Sequence, residues 1–126
     1  MYEDILNSVL SLLSDYTISI GSLPPNNGIA MYIGSGAQDT MFLNKGSENN
    51  ISLVVNAKNS NHSICLESLS NIHSHLTKLK DYPNSDTFQI LNIRTSSAPS
   101  WIGKEQNSQH LYGSILEVSF YVKGVN

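Results

Sequence analysis

Charge is scarce in this chain. Only 13% of its 126 residues are Asp, Glu, Lys or Arg, about half the ~25% usual for soluble proteins. The 7 basic residues are outnumbered by 10 acidic ones, for a net charge of −3. The basic footprint of a nucleic-acid binder is therefore missing, and no sequence-specific nucleic-acid partner is expected. Cysteine is nearly absent: Cys65 alone excludes an intramolecular disulfide framework. No apolar run approaches the ~18 residues of a membrane-spanning helix, so no membrane partner is expected. Met1-Tyr2-Glu3-Asp4 is acidic where a secretory signal is positive, and no lipidation motif is present. The expectation is a chain that works in a reducing, soluble compartment.

Familiar catalytic patterns are missing too. Gly34-Ser35-Gly36 is a fragment of a dinucleotide-binding fingerprint, but Asp39 stands where the third glycine belongs and no helix pattern follows. There is no GxSxG nucleophile elbow. The acids Asp15, Asp39, Glu48, Glu67, Asp81, Asp86, Glu105 and Glu117 fall on different elements, with no pair placed for acid–base work. His73 and His75 suggest a metal site, yet on a helix residues i and i+2 point about 200° apart, so one ion cannot take both from one face. His62 and His110 belong to no cluster. Cys65 lies on an apolar stripe and reads as a small buried hydrophobe, with no base beside it to make it a nucleophile. No enzyme activity, metal or cofactor is expected.

What is present is apolar residues at 40%, enough for one core, and 20 Ser with 14 Asn. That mixture favours turns, caps and a neutral polar surface, and it lacks the high net charge of disordered chains. The expected organisation is a single domain over residues 1–126. Ile5, Leu6, Val9, Leu10, Leu12 and Leu13 give helical spacing over Glu3–Ser14, with Glu3 and Asp4 in the first turn, where the helix dipole favours them. Tyr16–Ile20 and Ile29–Ile33 read as strands around a Pro24-Pro25-Asn26-Asn27 loop. Gly34-Ser35-Gly36 is expected to end the second of these. Thr40–Leu43 and Ile51–Ala57 read as a projecting β-hairpin around a turn at Gly46–Asn50. Cys65, Leu69, Ile72, Leu76 and Leu79 mark a helix over Ser63–Lys80, stopped by Tyr82-Pro83-Asn84. Phe88–Thr95 is a strand with Leu91 and Ile93 on one face and Phe88 and Ile90 on the other. Ser96–His110 is a polar loop, and Tyr112–Val122 is the last strand. The order α-β-β-β-β-α-β-β predicts an α+β fold: a mixed, mainly antiparallel sheet with two helices packed on one face.

Two apolar groups sit where a lone monomer gains little from them. Trp101 and Ile102 fall in the Ser97-Ala98-Pro99-Ser100-Trp101-Ile102-Gly103 stretch. Trp101 is either a lid tucked over the core or an anchor at a protein interface, where Trp is enriched. Met41, Phe42 and Leu43 form an apolar triplet that a projecting ribbon cannot bury on both faces. These five residues are the candidate protein–protein interface.

The second half of the chain also carries a resemblance. A helix ending Leu76-Thr77-Lys78-Leu79-Lys80-Asp81-Tyr82-Pro83 leads into Phe88-Gln89-Ile90-Leu91-Asn92-Ile93. Then come Ser97-Ala98-Pro99-Ser100-Trp101-Ile102-Gly103-Lys104 and Tyr112-Gly113-Ser114-Ile115-Leu116-Glu117-Val118. The sequence resembles the minor capsid or tail terminator proteins of siphophages and prophages of Gram-positive bacteria. The Pro99-Ser100-x-Ile102-Gly103 loop followed by the tyrosine-led strand is its most specific part, and the likeness extends over nearly the whole chain. Trp101 stands where that pattern tolerates various residues, so no role passes to it. The resemblance implies an α+β virion protein, found in the host cytoplasm before assembly. It would close a ring, typically a hexamer of itself, on the last ring of tail-tube protein. There it would stop tube growth and meet the head connector. The alternative is a non-enzymatic binding adaptor or another head–tail connector, such as a head-completion component.

Overall fold

A computed structural model describes residues 2–41 and 46–123. The elements run α1 (Tyr2–Ser11), β1 (Ile18–Ile20), β2 (Gly28–Met41), β3 (Ser47–Asn59), α2 (His62–Thr77), β4 (Phe88–Lys104) and β5 (His110–Val122). They form the expected α+β fold. One five-stranded sheet has the order β1-β2-β3-β5-β4. Only the β1–β2 pair is parallel; β2–β3, β3–β5 and β4–β5 are antiparallel.

The core lies on one sheet face. Alternation turns Met31, Ile51, Leu53, Val55, Leu116, Val118 and Phe120 to that side, and each is fully buried. Ile5, Leu6, Val9 and Leu13 from the first helical segment, and Cys65, Leu69, Ile72 and Leu76 from α2, complete the same cluster. α2 begins where the Asn61 side chain accepts a hydrogen bond from the Ser63 backbone N–H, a standard N-cap that satisfies one orphan donor. Near its C-terminus the Tyr82 hydroxyl donates to the Leu76 carbonyl at 2.8 Å.

Four expectations are corrected. Gly34-Ser35-Gly36 does not end a strand: β2 passes through it to Met41 with a register shift between Ile33 and Ser35. Glycine there interrupts the hydrophobic pattern without interrupting the ladder, as at many bulges. The residues read as the turn Gly46–Asn50 are mostly strand, since β3 starts at Ser47. β3 pairs with β5 from its first residue, Ser47 opposite Val122, so the described part of the hairpin is not a lone projecting ribbon. Finally, most of the Ser96–His110 loop is strand, because β4 continues to Lys104. Within β4 a register shift between Ile90 and Asn92 absorbs Leu91 as an extra residue. Ile93 therefore joins Phe88 and Ile90 in the core, while Leu91 is left exposed.

Candidate interaction surface

The structure separates the five residues singled out from the sequence. Met41 is the last residue of β2, opposite Ser47; Phe42 and Leu43 lie outside the described residues. Trp101 and Ile102 are in β4, beside Tyr112 and Gly113 of β5. Following the pairing across the sheet, Trp101 lies on the row of Tyr112, Ala57 and Ile29, whereas Met41 lies on the row of Ser47 and Val122. Ser47 and Ala57 are ten residues apart on β3, roughly 33 Å of strand. Met41 and Trp101 therefore lie at opposite ends and on opposite sides of the sheet.

Trp101 and Ile102, as neighbours on a strand, point to opposite faces. Trp101 lies on the helix side, at the N-terminal end of α2. Its indole Nε1 donates to His110 Nδ1 at 3.3 Å, and the His110 ring packs edge-on to His62, the first residue of α2, with centroids 5.6 Å apart. Trp101 remains 56% exposed, which speaks against the reading of it as a lid over the core. Ile102 lies on the outer face against β5. A Cβ built on Gly113 would come within 2.6 Å of Ile102 Cδ1, so glycine is what lets the side chain settle there. Ile102 also borders a shallow outer-face recess of about 270 Å³, with Tyr32, Val54, Asn56 and Ile115 among its lining residues.

The end of the sheet near Trp101 is braced by polar contacts that sequence reading missed. Lys58 is buried on β3, and its Nζ meets Glu105 Oε1 at 2.7 Å. The Asn27 backbone N–H donates to the Gln109 side chain, and the Asn107 amide donates to the Pro25 carbonyl. Together these tie the loop before β2 to the turn between β4 and β5. The local signal was only a high Asn content, which cannot identify partners some 80 residues away.

The titratable residues are placed one by one in the packing. Cys65 is buried, and burial pushes its thiol pKa up; Sγ contacts the His110 carbonyl at 3.7 Å. His73 is buried against β4, with Nδ1 2.8 Å from Thr95 Oγ1. Its Nε2 is buried without a partner, and burial lowers the imidazole pKa below 6.5. His75 points elsewhere and donates from Nε2 to the Leu12 carbonyl at 3.0 Å. The two histidines thus diverge, as their spacing demands. Among the described residues no group of three or more His, Cys, Asp or Glu side chains could hold a metal ion. None of the described helices is long and apolar enough to cross a membrane.

No family model matches the chain, and no curated protein matches it. Among solved structures it is similar to a chain of the "Virion of native gene transfer agent (GTA) particle", with a TM-score of 0.57 and 10% identity. The match covers 92% of this chain and 84% of that one. At that identity the likeness speaks for the fold.

Proposed function

We propose that this chain is a structural virion protein. It closes a ring, hexameric by the sequence resemblance, on the head-proximal end of a phage tail tube, stops tube polymerisation and presents a surface for head joining. The observation that carries this reading is the fold shared along 92% of the chain with a component of a gene transfer agent virion. It agrees with the independent sequence resemblance to siphophage tail terminators. The placement of the apolar groups supports the same reading. A ring needs two different patches on each subunit, so that each copy contacts one neighbour with one patch and the next with the other. Met41 and Trp101–Ile102, at opposite ends of the sheet, are suited to that arrangement.

Electron microscopy of tail-tube protein polymerised with and without this chain tests the proposal. The expected result is tubes capped at one tip and limited in length. Uncapped tubes, with the chain bound instead to a purified head connector, would move the assignment to a head-completion component. Binding to neither would leave an adaptor of another kind.

A further inference from the structure

The loop that leads into β2 holds the chain's only Asn-Gly step, Asn27-Gly28. Packing and backbone conformation account for both residues. Gly28 opens β2 opposite Lys58, and the Pro24 ring lies so close that an added Cβ would meet Pro24 Cγ at 2.2 Å. Only glycine fits there. Asn27 takes φ +40, in the left-handed region that asparagine tolerates better than most residues. Its backbone N–H donates to Gln109 Oε1 at 2.8 Å, and its side-chain Oδ1 accepts from the Ser60 backbone N–H at 3.3 Å. Asn27 is exposed, so water reaches it. This arrangement supplies the parts of a reaction. Gly28 offers a peptide nitrogen beside a residue without a side chain, so approach to it is uncrowded. The Asn27 side-chain carbonyl carbon lies one small ring closure away, an intramolecular step with no loss of translational freedom. The Ser60 N–H already sits on the oxygen where negative charge develops when that carbon is attacked.

We propose that Asn27 is a self-modification site, at which the Gly28 backbone nitrogen displaces the Asn27 side-chain amide and the residue becomes aspartyl or isoaspartyl. Solvent base removes the Gly28 N–H proton as the nitrogen bonds to Asn27 Cγ. The resulting oxyanion on Oδ1 is held by the Ser60 N–H. It collapses, the Cγ–Nδ2 bond breaks, and the nitrogen leaves as ammonia with a proton from water. A cyclic imide remains. Water then opens it at either carbonyl. Opening at Cγ restores the main chain with an aspartyl side chain. Opening at the main-chain carbonyl leaves Gly28 attached through Cγ, an isoaspartyl link. No oxidant, reductant or reactant other than water is consumed. Each product adds a negative charge, and the isoaspartyl link also adds a carbon to the main chain between the Asn27 N–H and Gly28. The N–H bonded to Gln109 and the glycine seated on Pro24 cannot then both keep their places. The modification therefore loosens the brace between this loop and the β4–β5 turn, at the Trp101 end of the sheet. The inference goes beyond the virion reading and does not depend on it.

The test incubates the full chain folded in mildly alkaline buffer and, in parallel, unfolded in guanidinium chloride at the same pH. Peptide mapping by mass spectrometry locates the aspartyl and isoaspartyl products, and released ammonia is measured. In the folded chain Asn27 is expected to convert before every other asparagine, and at least as fast as in the unfolded chain. Ser60→Pro removes the N–H. It should slow conversion of the folded chain by about tenfold, less than the ~10²–10³ lost with an enzymatic oxyanion donor, because the bond is long at 3.3 Å. The same variant should leave the unfolded rate unchanged. Asn27→Gln, whose longer side chain must close a larger ring, should abolish the early ammonia release, whereas Asn26→Gln should release it as the parent does. Isoaspartyl chains, separated by chromatography, should melt below the parent. First conversion at another asparagine, or slower conversion of Asn27 in the folded chain than in the unfolded one, would overturn the proposal. So would a folded rate that Ser60→Pro leaves unchanged, or isoaspartyl chains that melt with the parent. If Ser60→Pro does not fold, the comparison of folded and unfolded parent decides alone. The assay uses no tail tube, so its failure leaves the ring reading standing, and uncapped tubes would leave this site standing.

Discussion

β3 and β5 are built under a tighter constraint than β4. Along β3 and β5 buried and part-buried residues alternate almost from end to end, because both strands are paired on two sides and covered by helices on one face. β4 follows the core only through Phe88, Ile90 and Ile93; its remaining residues, from Arg94 to Lys104, are exposed or half-buried. β3 meets β5 in unbroken register, whereas β4 meets β5 through four register shifts and has no described strand on its other side. Burial of one face follows the same division. Where it is absent, sequence is free to carry Ser, Pro, Trp and Ile.

The sharpest way to test this contrast is to remove equal side chains from the two regions. Leu53 on β3 and Leu116 on β5 are fully buried, so Leu53→Ala or Leu116→Ala should lower stability by about 2–5 kcal/mol in urea denaturation. Leu76→Ala on α2, which closes the same core, should fall in that range. Leu91→Ala on β4, exposed at its bulge, should cost less than about 0.5 kcal/mol. A central Leu variant that melts with the parent would show that the burial contrast does not govern stability.

That contrast also explains which parts of the molecule were legible in the sequence. Ile51, Leu53, Val55 and Ala57 announced their buried face by strict alternation, and Cys65, Leu69, Ile72 and Leu76 by helical spacing. The continuations of β2 through Gly34-Ser35-Gly36 and of β4 through Ser96–Lys104 gave no such signal, since neither has a continuous buried face to write a period of two. Bulges compounded the difficulty. Leu91 shifts the face of every residue after it, and no local pattern announces an extra residue. Of the candidate surface, Trp101 and Ile102 were found because they break a polar run.

The polar brace at the Trp101 end gives the next largest effect. Lys58 is nine-tenths buried, whereas Glu105 is 42% exposed. Glu105→Ala leaves a buried ammonium without its partner, which costs 3–5 kcal/mol in a fully enclosed pair. With the partner half in water, we expect about 2 kcal/mol. The double variant Lys58→Met/Glu105→Ala should recover much of that loss, because an apolar side chain needs no counter-charge. If Glu105→Ala changes nothing in urea denaturation, the pair does not brace this end of the sheet.

α2 lies against β4 through His73, and pH tests that contact. Burial lowers the His73 pKa below its ordinary 6.5, so the unfolded chain takes up a proton more readily than the folded one. Stability from this group is then complete above pH 6.5. It declines as pH falls through 6.5 toward the lower folded value, and the loss is constant below that. His73→Gln retains a polar group for Thr95 and removes the titration. Plots of stability against pH for parent and variant should diverge below 6.5 in just this way. Parallel curves would place the titration elsewhere.

The smallest effect on folding, and the one that bears most directly on function, is expected at Trp101. Its indole is more exposed than buried, and its Nε1 bond to His110 is long at 3.3 Å. Trp101→Ala should therefore cost the monomer about 1 kcal/mol or less, near the range of ordinary surface substitutions. If the exposed ring is an anchor between subunits or on the tube, the same change should weaken ring closure or tube capping by about 2 kcal/mol or more, roughly thirtyfold. Circular dichroism of the isolated chain and light scattering with tail tubes separate the two quantities. Phe42→Asp gives the matching measurement for the Met41-Phe42-Leu43 triplet. Loss of capping in both variants, with both monomers folded, would fit a ring that uses two distant patches. A loss in Trp101→Ala alone would confine the contact to the β4 end. If both variants cap tubes as the parent does, neither patch joins subunits, and the exposed polar side of α2 carrying Asn71 becomes the surface to test.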